Sequence, residues 1–582
     1  MDSRVWPFNF TITTHPFMKD IYEALDNDDP STVVITALHI LRRINLIPQM
    51  NRKNKCERNS ESLRKSGNDM LKPDRYQEAM EYYNEALMYA PQNSRSMKVA
   101  FGNRSFIYYK QGYYPACVAD IKMALEIPTA TEIDDKLRLR LHEASNFYDE
   151  EAIRRYKSYS IYGPTVYKLS SRNPDIPCAS ADISVALDRR APKVVAKRNI
   201  KIGAVLAIEE AFTIGISKLN YLNSCYYCSK RSLNLIPCTG CCWIVFCDAK
   251  CRQNSFNEGH NIECQIMEVV EDMTAGPMPK LVIKTVLKIR KKCKNWKEFI
   301  DASWSVGRER WKKSSIKEVF DVDEKFSMLC FNDDRLFIHG TMCNTSFACA
   351  TVIHHLDRLN NFFPNDEKEK LEAMRAMGRM MMFLVLHTIP TTMNQALGIA
   401  NPIGATLSQT ANFGWFSFIG KLRHACIPNA CAINLNRRMV VIASAPIKAG
   451  TPITIHYLGC HVDVKKITMN CINLYTLYGM VCNCILCIES VKVKKKQILD
   501  DETKKKLRDI NGLMGDPMSF SLHDMPRIYP AACSAMDLLK NLPLSDEYDV
   551  AKDNFLKCLV IFSDYECGNK ILDSRERVIR IQ

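Results

Sequence analysis

The spacing of apolar residues along the chain predicts a mainly helical protein that also contains a block of strands. Apolar positions recur at the spacing of one helix face in several stretches. These stretches are 31–46, 280–300, 369–390 and 535–562, the last of which is interpreted as two helices. Runs rich in β-branched residues predict strands at 194–212 and 432–459. We expect a hairpin turn at 201–203 in the first run, and a strand, a turn at 437–438 and a second strand in the other.

An internal repeat with a period of about 35 to 38 residues marks the region 61–160. The segment RYQEAMEYYNEALMYAP at 75–91 aligns with YYPACVADIKMALEIP at 113–128, and both are preceded by a glycine–asparagine pair. The period resembles that of tetratricopeptide repeats. Two such units and a helix at 135–155 would form a short solenoid. The solenoid would either bind a peptide or partner protein or buttress the next domain, and the sequence leaves both open.

Seven cysteines and one histidine in the next region have the spacing of metal ligands. They form the pairs Cys225 and Cys228, Cys238 and Cys241, Cys247 and Cys251, and His260 and Cys264. Eight ligands suffice for two closed tetrahedral zinc sites, because an i, i+4 pair on a helix faces one side and can complete a site that a CxxC loop begins. Such a short segment buries little apolar surface, so bound metal would supply its folding energy. The alternative, a disulfide framework, needs an oxidising compartment.

The order of these pairs resembles a MYND zinc finger. In that family the first and third pairs share one zinc ion, and the second and fourth pairs share the other. The resemblance therefore implies one site formed by Cys225, Cys228, Cys247 and Cys251, and another formed by Cys238, Cys241, His260 and Cys264. Cys242 is left over and could exchange roles with Cys241.

The composition indicates a soluble globular protein. The 582 residues are 47% hydrophobic and 25% charged, with no signal-peptide core at the start and no apolar run long enough to span a membrane. We therefore expect a protein of the reducing cytoplasm and nucleus, without membrane contact, whose 25 cysteines are metal ligands and buried thiols. The net charge of +15 is spread over short clusters, and a solvated surface explains it more simply than nucleic-acid binding.

Two separate segments resemble the halves of a SET domain. The segment LRHACIPNA at 422–430 matches the family motif asparagine–histidine–serine–cysteine, any residue, proline–asparagine. His424, Cys426, Pro428 and Asn429 fit that motif, whereas Arg423 and Ala425 replace its asparagine and serine. The strands that follow end at Tyr457, which aligns with the tyrosine that the family places at the methyl-transfer channel. The strands at 175–213 resemble the start of the domain, but Ala191 and Pro192 stand where the family usually has glycine next to the cofactor.

A CxCxxC segment further along resembles the post-SET zinc motif. Its cysteines are Cys482, Cys484 and Cys487, and the family's fourth ligand corresponds to Cys426. The resemblance predicts a third zinc ion that binds a C-terminal flap to the SET core. The family's two cofactor-stacking aromatic residues correspond to Tyr478 and Met480. In TTMNQA at 391–396, Asn394 corresponds to an asparagine that contacts the cofactor, although a turn asparagine is the alternative.

Together these segments identify the chain as similar to the SET-and-MYND family, in the branch with an N-terminal tetratricopeptide region. The resemblance implies an α+β multidomain fold, in which a mostly β SET core is split by a MYND zinc finger and a helical insert and flanked by α-helical repeat regions. The implied domains are an N-terminal helical or linker segment (1–60), repeats (61–160), the first part of SET (175–224), MYND (225–264), a helical insert (265–400), the second part of SET (401–459), post-SET (470–490) and a C-terminal helical region (491–582).

The family resemblance also implies a function. Its members are S-adenosylmethionine-dependent protein-lysine N-methyltransferases that act on histone or non-histone proteins, so Tyr457 would be catalytic. Asn394, Arg423, His424, Tyr478 and Met480 would bind the cofactor. Three structural zinc ions, protein partners at the MYND and repeat regions, and a monomer are further expectations. The residues alone also allow a core aromatic at Tyr457 and a buried, hydrogen-bonded imidazole at His424.

A second hypothesis is a catalytically weak or inactive member that acts as an interaction scaffold or transcriptional regulator. The departures from the family pattern, at Ala191, Pro192, Arg423 and Met480, fall on the cofactor pocket, while the zinc ligands are all present. Loss of catalysis with retention of the fold would leave this pattern.

Overall fold

A computed structural model gives the fold of most of the chain. It describes residues 17–27, 29–50, 54–129, 132–147, 167–186, 193–230, 232–272, 278–330, 339–387, 391–392, 412–435, 437–458, 467–489, 497–517, 520, 524–566, 570–572 and 578–580. The chain divides into two compact units. The first unit combines Met1–Pro48, Pro164–Gly215 and Met273–Asp564, and the second combines Gln49–Gly163, Ile216–Asp272 and Tyr565–Gln582.

Helices are the main secondary structure of both units. In chain order they are α1 (Met18–Leu25), α2 (Ser31–Arg43), α3 (Glu57–Asp69), α4 (Tyr76–Tyr89), α5 (Arg95–Lys110), α6 (Tyr114–Glu126), α7 (Asp134–Asn146), α8 (Ala249–Ser255), α9 (Asn261–Asp272), α10 (Met278–Lys292), α11 (Trp296–Ser303), α12 (Gly307–Lys313), α13 (Ile316–Phe320), α14 (His339–Asp357), α15 (Glu367–His387), α16 (Ile467–Tyr478), α17 (Ile485–Glu489), α18 (Asp501–Met514), α19 (Met525–Leu538) and α20 (Asp546–Glu566). None of these described helices is long and apolar enough to cross a membrane.

The strands are short and form small sheets. They are β1 (Ile183–Ala186), β2 (Lys193–Ala196), β3 (Val205–Glu210), β4 (Thr213–Gly215), β5 (Ile236–Pro237), β6 (Val245–Phe246), β7 (Thr391–Thr392), β8 (Phe413–Trp415), β9 (Arg423–His424), β10 (Ala430–Leu435), β11 (Arg438–Ala443), β12 (Thr454–Ile455), β13 (Lys570–Leu572) and β14 (Val578–Arg580). The sheet orders are β1-β2, β10-β11-β3, β12-β9, β13-β14, β4-β8-β7 and β5-β6.

The predicted helices are confirmed, and one of them is divided. The stretches 31–46 and 369–390 form α2 and α15, and 535–562 contains the end of α19 and most of α20. The stretch 280–300 is split between α10 and α11. The side chain of Asn295 accepts a hydrogen bond from the Glu298 N–H at 2.9 Å, and this N-cap starts a new helix where the apolar pattern runs on.

The predicted hairpin at 201–203 is wrong as a strand pairing. Gly203 does turn the chain, with a φ of +80° that favours glycine. However, β2 pairs with β1 and β3 pairs with β11, so the strands on either side of the turn belong to different sheets. The other predicted hairpin is confirmed, because β10 and β11 pair in antiparallel register from Ala430 with Ala443 to Leu435 with Arg438.

In the second unit, α3 to α7 pack one after another, as the sequence repeat requires. The glycines of the repeat lie where helices approach closely. A Cβ atom at Gly67 would lie 2.5 Å from the ring of Tyr83, and one at Gly102 would lie 2.8 Å from Ile133. The small repeat residues Ala79, Ala86 and Ala124 are fully buried, as are Cys117 and Tyr83. The glycine–asparagine pairs therefore mark packing positions.

A buried ionic anchor in the first unit fixes the segment that leads into β9. The Glu209 carboxylate, on β3, accepts hydrogen bonds from the Phe418 and Ile419 N–H groups at 2.7 and 2.8 Å. The Lys421 ammonium donates to the carbonyls of Val319, Ser327 and Ser417. Burial raises the pKa of Glu209 to about 7 and lowers the pKa of Lys421 to about 8. These bonds hold the chain before Arg423 against the β10-β11-β3 sheet.

Candidate functional site

The first cysteine cluster in the second unit consists of Cys225, Cys228, Cys247 and Cys251, whose sulfur atoms all lie within 4.8 Å of one another. The Sγ atoms of Cys228 and Cys247 are 3.7 Å apart, and those of Cys247 and Cys251 are 3.4 Å apart. Two sulfur ligands of one tetrahedral zinc ion lie about 3.8 Å apart, given a Zn–S bond of about 2.3 Å. The Asp248 carboxylate caps α8 by accepting a hydrogen bond from the Cys251 N–H at 2.6 Å, which holds the last pair within one turn.

The second cluster consists of Cys238, Cys241, His260 and Cys264, with ligand atoms also within 4.8 Å of one another. The Cys238 Sγ lies 3.5 Å from His260 Nε2 and 3.8 Å from Cys264 Sγ. Because the His260 Nδ1–H donates to the Glu263 carboxylate at 2.8 Å, Nε2 is left with a lone pair for metal. The structure puts Cys241 in this group and leaves Cys242 buried outside it.

A buried polar network ties the helices of the second unit to the loop between these cysteines. The Arg104 guanidinium makes a two-point contact with Asp120, at 2.6 and 2.8 Å, and donates to the Leu235 carbonyl at 3.0 Å. The Asn234 amide donates to the same Asp120 carboxylate at 2.7 Å. The Tyr108 hydroxyl donates to the carbonyl of Leu233. Helices α5 and α6 therefore form part of the support for the cysteine-rich loop.

A third cluster lies in the first unit and consists of Cys426, Cys482, Cys484 and Cys487. The Cys426 Sγ lies 3.8 Å from Cys482 Sγ and 3.4 Å from Cys487 Sγ, distances that suit a tetrahedral zinc ion. The contact between Cys426 and Cys482 lowers the pKa of Cys482 to about 3, against the effect of burial, and raises the pKa of Cys426, so the two thiols share one negative charge when no metal is bound. A fifth thiol, Cys471 on α16, lies 3.5 Å from Cys487 Sγ but outside the group of four.

Parallel pairing of β9 with β12 brings the candidate catalytic tyrosine to this cluster. The pairing sets Thr454 opposite Arg423 and Ile455 opposite His424. Two residues further on, the Tyr457 N–H donates to His424 Nδ1 at 3.3 Å, and the Tyr457 hydroxyl donates to the Leu422 carbonyl at 2.7 Å. Tyr457 is only 7% exposed.

The asparagine of the proline–asparagine motif has a structural position. The Asn429 side chain accepts a hydrogen bond from the Thr454 N–H at 2.8 Å and donates to the Pro452 carbonyl at 2.9 Å. It therefore closes the loop between β9 and β10 onto the start of β12. This bond network keeps Cys426 and Tyr457 at a fixed separation along the paired strands.

The predicted cofactor-binding residues differ in exposure, and some of them lie outside the described residues. Arg423 is exposed, and His424 and Met480 are half-buried. Asn394 lies outside the described residues, as do Ala191 and Pro192, and Tyr478 ends α16 with a side chain that is also outside the described part. Among the described candidates, the structure brings His424 and Tyr457 into contact, with ring centroids 5.2 Å apart.

Sequence reasoning missed two residues beside the third cluster. The His456 ring lies 4.8 Å from that of His424, and one nitrogen of each forms a close group with Cys426 Sγ. Burial and the neighbouring His424 lower the pKa of His456 to about 3, so its imidazole is neutral. The sequence signal that could have pointed to His456 was its position directly before Tyr457. For Cys471 no spacing rule applied, because a helix intervenes before Cys482.

Replacement of Cys484 by serine should remove one zinc ion per chain, because a cluster of three thiolates no longer closes a tetrahedral site. The metal content of the purified chain, measured by native mass spectrometry, checks this prediction. Cys471→Ser is the matched control, since that thiol lies beside the cluster but outside the group of four. Equal zinc loss in both variants, or none in Cys484→Ser, would contradict the ligand assignment.

Comparison with known proteins agrees with this geometry. The SET domain family matches residues 193–458, which include β2 to β12. Zebrafish (Danio rerio) protein-lysine N-methyltransferase SMYD4 is 25% identical over 285 residues, which are 46% of this chain and 36% of the relative. The human protein of the same name is 23% identical over 269 residues, or 35% of this chain and 33% of the relative.

A relative with a different name matches a shorter stretch. A DnaJ homolog subfamily C member 7 homolog from Schizosaccharomyces pombe is 31% identical over 101 residues, which are 17% of this chain and 21% of the relative.

The matches to the SMYD4 proteins span only about a third of the length of those relatives, between 33% and 38%.

Residues 193–458 therefore resemble a SET domain, and the SMYD4 relatives carry the name protein-lysine N-methyltransferase. The SET match and the similarity to SMYD4 proteins support the SET-and-MYND family and are consistent with the branch that carries an N-terminal tetratricopeptide region.

Proposed function

We propose that this chain is an S-adenosylmethionine-dependent protein-lysine N-methyltransferase that acts on histone or non-histone proteins. The observation that carries the proposal is the paired end of β9 and β12. There a buried tyrosine, Tyr457, lies against His424 and beside the Cys426 cluster. The match of residues 193–458 to the SET domain supports the same conclusion.

The position of Tyr457 suits the orientation of a substrate amine. Its hydroxyl donates to the Leu422 carbonyl, and a hydroxyl oxygen is also a hydrogen-bond acceptor by its chemistry. An amine held there would have its own lone pair fixed in direction. Fixed alignment converts an encounter of two molecules into a positioned reaction, which is worth several kcal/mol of the barrier.

Burial around Tyr457 also suits deprotonation of a substrate lysine. A lysine ammonium is not a nucleophile and has to lose its proton before methyl transfer. A poorly solvated, aromatic environment disfavours the charged form and lowers the pKa of the amine. Tyr457 and the half-buried His424 would supply part of that environment.

Among the predicted cofactor residues that the structure describes, the hydrogen-bond donors fit the amino-acid end of S-adenosylmethionine. When bound, the cofactor supplies an electrophilic methyl group on a sulfonium. The exposed Arg423 guanidinium is free of an intramolecular carboxylate partner among the described residues and could pair with the cofactor carboxylate. Asn394, His424, Tyr478 and Met480 remain the other predicted cofactor residues.

The three clusters are proposed as structural zinc sites. Each offers four ligands of sulfur and nitrogen type, the donor set that zinc prefers in closed sites, so none needs an open position for chemistry. We assign the two clusters of the second unit to a MYND finger at 225–264, and the third to a post-SET flap at 470–490. The flap would form one wall of the substrate channel.

The helices at 61–160 are proposed as tetratricopeptide-like repeats. The Arg104 network favours a buttressing role, because it commits one face of α5 and α6 to the cysteine-rich loop. The rest of their surface is available for the protein partners that we propose for this region and for the MYND finger. We propose a monomer that acts in both cytoplasm and nucleus.

An inactive scaffold is the second candidate. One observation favours it: Arg423 stands in place of the family's asparagine and is exposed, so it does not help to enclose the cofactor as a buried residue would. In this alternative the zinc sites and the fold are retained for protein interaction, and the cofactor pocket no longer binds.

Calorimetric titration of S-adenosylmethionine into the zinc-loaded chain tests the proposal. We expect micromolar binding that is lost in Asn394→Ala, because that side chain is predicted to contact the amino-acid end of the cofactor. Asn429→Ala is not a suitable control, since Asn429 holds the loop onto β12, whereas the exposed Asn54→Ala is. No detectable binding to a folded chain with full zinc content would favour the inactive scaffold.

A further inference from the structure

The imidazole of His424 lies between the backbone of Tyr457 and the thiol of Cys426. Its Nδ1 atom accepts the Tyr457 N–H at 3.3 Å, and its Nε2 atom lies 3.4 Å from Cys426 Sγ. The two contacts use the two ring nitrogens separately. One ring therefore bridges the strand end that carries the candidate catalytic tyrosine and the third cysteine cluster.

The hydrogen-bond partners determine the tautomer of this ring. Since Nδ1 accepts a backbone N–H, it has no proton, and the neutral imidazole carries its proton on Nε2. The Cys426 sulfur that faces Nε2 would be a thiolate when it binds zinc. The contact is then an Nε2–H donor and a negatively charged sulfur acceptor, which is a favourable charge-assisted hydrogen bond.

We propose that His424 is a positioning residue that couples the zinc cluster at Cys426 to Tyr457. Zinc holds the Cys426 thiolate in place, the thiolate orients the His424 ring, and the ring fixes the Tyr457 N–H and with it the strand end. Groups that hydrogen-bond to metal ligands typically change metal affinity 10- to 100-fold when removed. The coupling itself needs no catalysis, whereas the positioning of a catalytic Tyr457 rests on the proposed function.

The neighbouring His456 supplies a second donor to the same region. It is 8% exposed, and its Nδ1 atom accepts the Leu458 N–H at 3.2 Å, which again leaves the proton on Nε2. Among the described residues, that Nε2 atom is buried without a hydrogen-bond partner. One nitrogen of His456 lies within 4.8 Å of the ligand atoms of His424 and Cys426. A zinc ion with four thiolates carries two negative charges, and two N–H donors would stabilise them in a site of low polarity.

Two substitutions at position 424 separate the two bonds of the bridge. His424→Asn keeps an oxygen near the position of Nδ1, so it can accept the Tyr457 N–H but cannot reach Cys426. His424→Gln keeps an N–H near the position of Nε2, so it can donate to Cys426 but leaves the Tyr457 N–H without its acceptor. His39→Asn, at an exposed position of α2, is the matched control.

The first readout is the zinc affinity of the third cluster, measured by competition with a chelator. Zinc bound at the other clusters is measured in the Cys484→Ser chain and subtracted. We expect His424→Asn to weaken zinc binding about 10- to 100-fold and His424→Gln to change it little.

The second readout is hydrogen exchange at the Tyr457 amide. Loss of zinc in Cys484→Ser should speed this exchange in an otherwise unaltered chain. The same loss should change it little in the His424→Asn and His424→Gln backgrounds.

Several results would overturn the proposal without any assay of methyl transfer. One is Tyr457 amide exchange that is insensitive to zinc in the unaltered chain, a test that holds even if the variants fail to fold. Another is unchanged zinc affinity in His424→Asn. A further zinc ion that is lost in His456→Ala would show that the imidazoles bind metal themselves, which is incompatible with protons on both Nε2 atoms. If the exchange coupling holds and no methyl transfer is found, only the proposed function fails.

Discussion

Replacement of Arg104 by alanine is expected to lower the free energy of unfolding of the second unit by about 3–5 kcal/mol. The guanidinium and the Asp120 carboxylate are both 1% exposed, so removal of the arginine leaves a buried negative charge without its partner. Asn84 and the Leu235 carbonyl lose their donor in the same step. The pKa of Arg104 reflects this pairing, since burial alone would lower it and the Asp120 carboxylate raises it above its usual value.

Hydrogen exchange measured by mass spectrometry gives the local free energy of opening in α5 and α6. An effect of this size corresponds to exchange faster by roughly two to four orders of magnitude. The faster exchange should extend to the loop at 232–237, because Arg104 and Asp120 hold that loop. Arg95→Ala is the matched control on the same helix: its side chain is 45% exposed and pairs with Glu61 and Glu132, so we expect a loss below about 1 kcal/mol. Equal effects of the two substitutions would contradict the buried-network interpretation.

Replacement of Tyr457 by phenylalanine is expected to lower kcat by about 100-fold or more, with little change in S-adenosylmethionine affinity. The expected loss comes from the hydroxyl, which would orient the substrate amine, and misplacement of a reacting group by about 1 Å can cost that much. The substitution also removes the hydrogen bond to the Leu422 carbonyl, so a structural effect has to be separated from a catalytic one.

Tyr167 provides the matched control for this separation. It is 6% exposed and its hydroxyl donates to the Leu559 carbonyl at 2.6 Å, so it resembles Tyr457 in burial and in bonding. Tyr167→Phe should lose similar stability, about 1–3 kcal/mol, and keep its kcat. If the two variants have the same kcat, Tyr457 has no special part in the reaction.

The clusters of candidate zinc ligands could be predicted from the sequence because metal binding requires fixed spacings. Thiolates of one CxxC loop and ligands one helical turn apart reach the same ion only at these intervals, and each predicted set of four lies together in the structure. The choice of Cys241 followed from its CxxC spacing with Cys238, and Cys242 was left open as an alternative. The bridging position of His424 depends on the pairing of β9 with β12, which no local pattern reveals.

The strand pairing at the start of the SET region shows where local patterns fail. The run 194–212 has the composition of two strands with a glycine turn, which is the local signal of a hairpin. In the folded chain β3 pairs with β11, more than two hundred residues away, and β2 pairs with β1. The long-range pairing of β3 with β11 is favoured over a local hairpin because it completes the β10-β11-β3 sheet and buries residues such as Leu206 and Val440. The Arg104 network could not be predicted from the sequence either, because its partners become neighbours only after the helices pack.

Methyl transfer from S-adenosylmethionine to lysine tests the central claim most directly. The zinc-loaded full chain would be incubated with the cofactor carrying an isotopically labelled methyl group, together with histones and a broad protein extract. Mass spectrometry would then locate the label. The account predicts labelled lysine side chains with the unaltered chain and at least about 100-fold less label with Tyr457→Phe. No lysine labelling by a folded, zinc-loaded chain would contradict it and would favour the inactive scaffold.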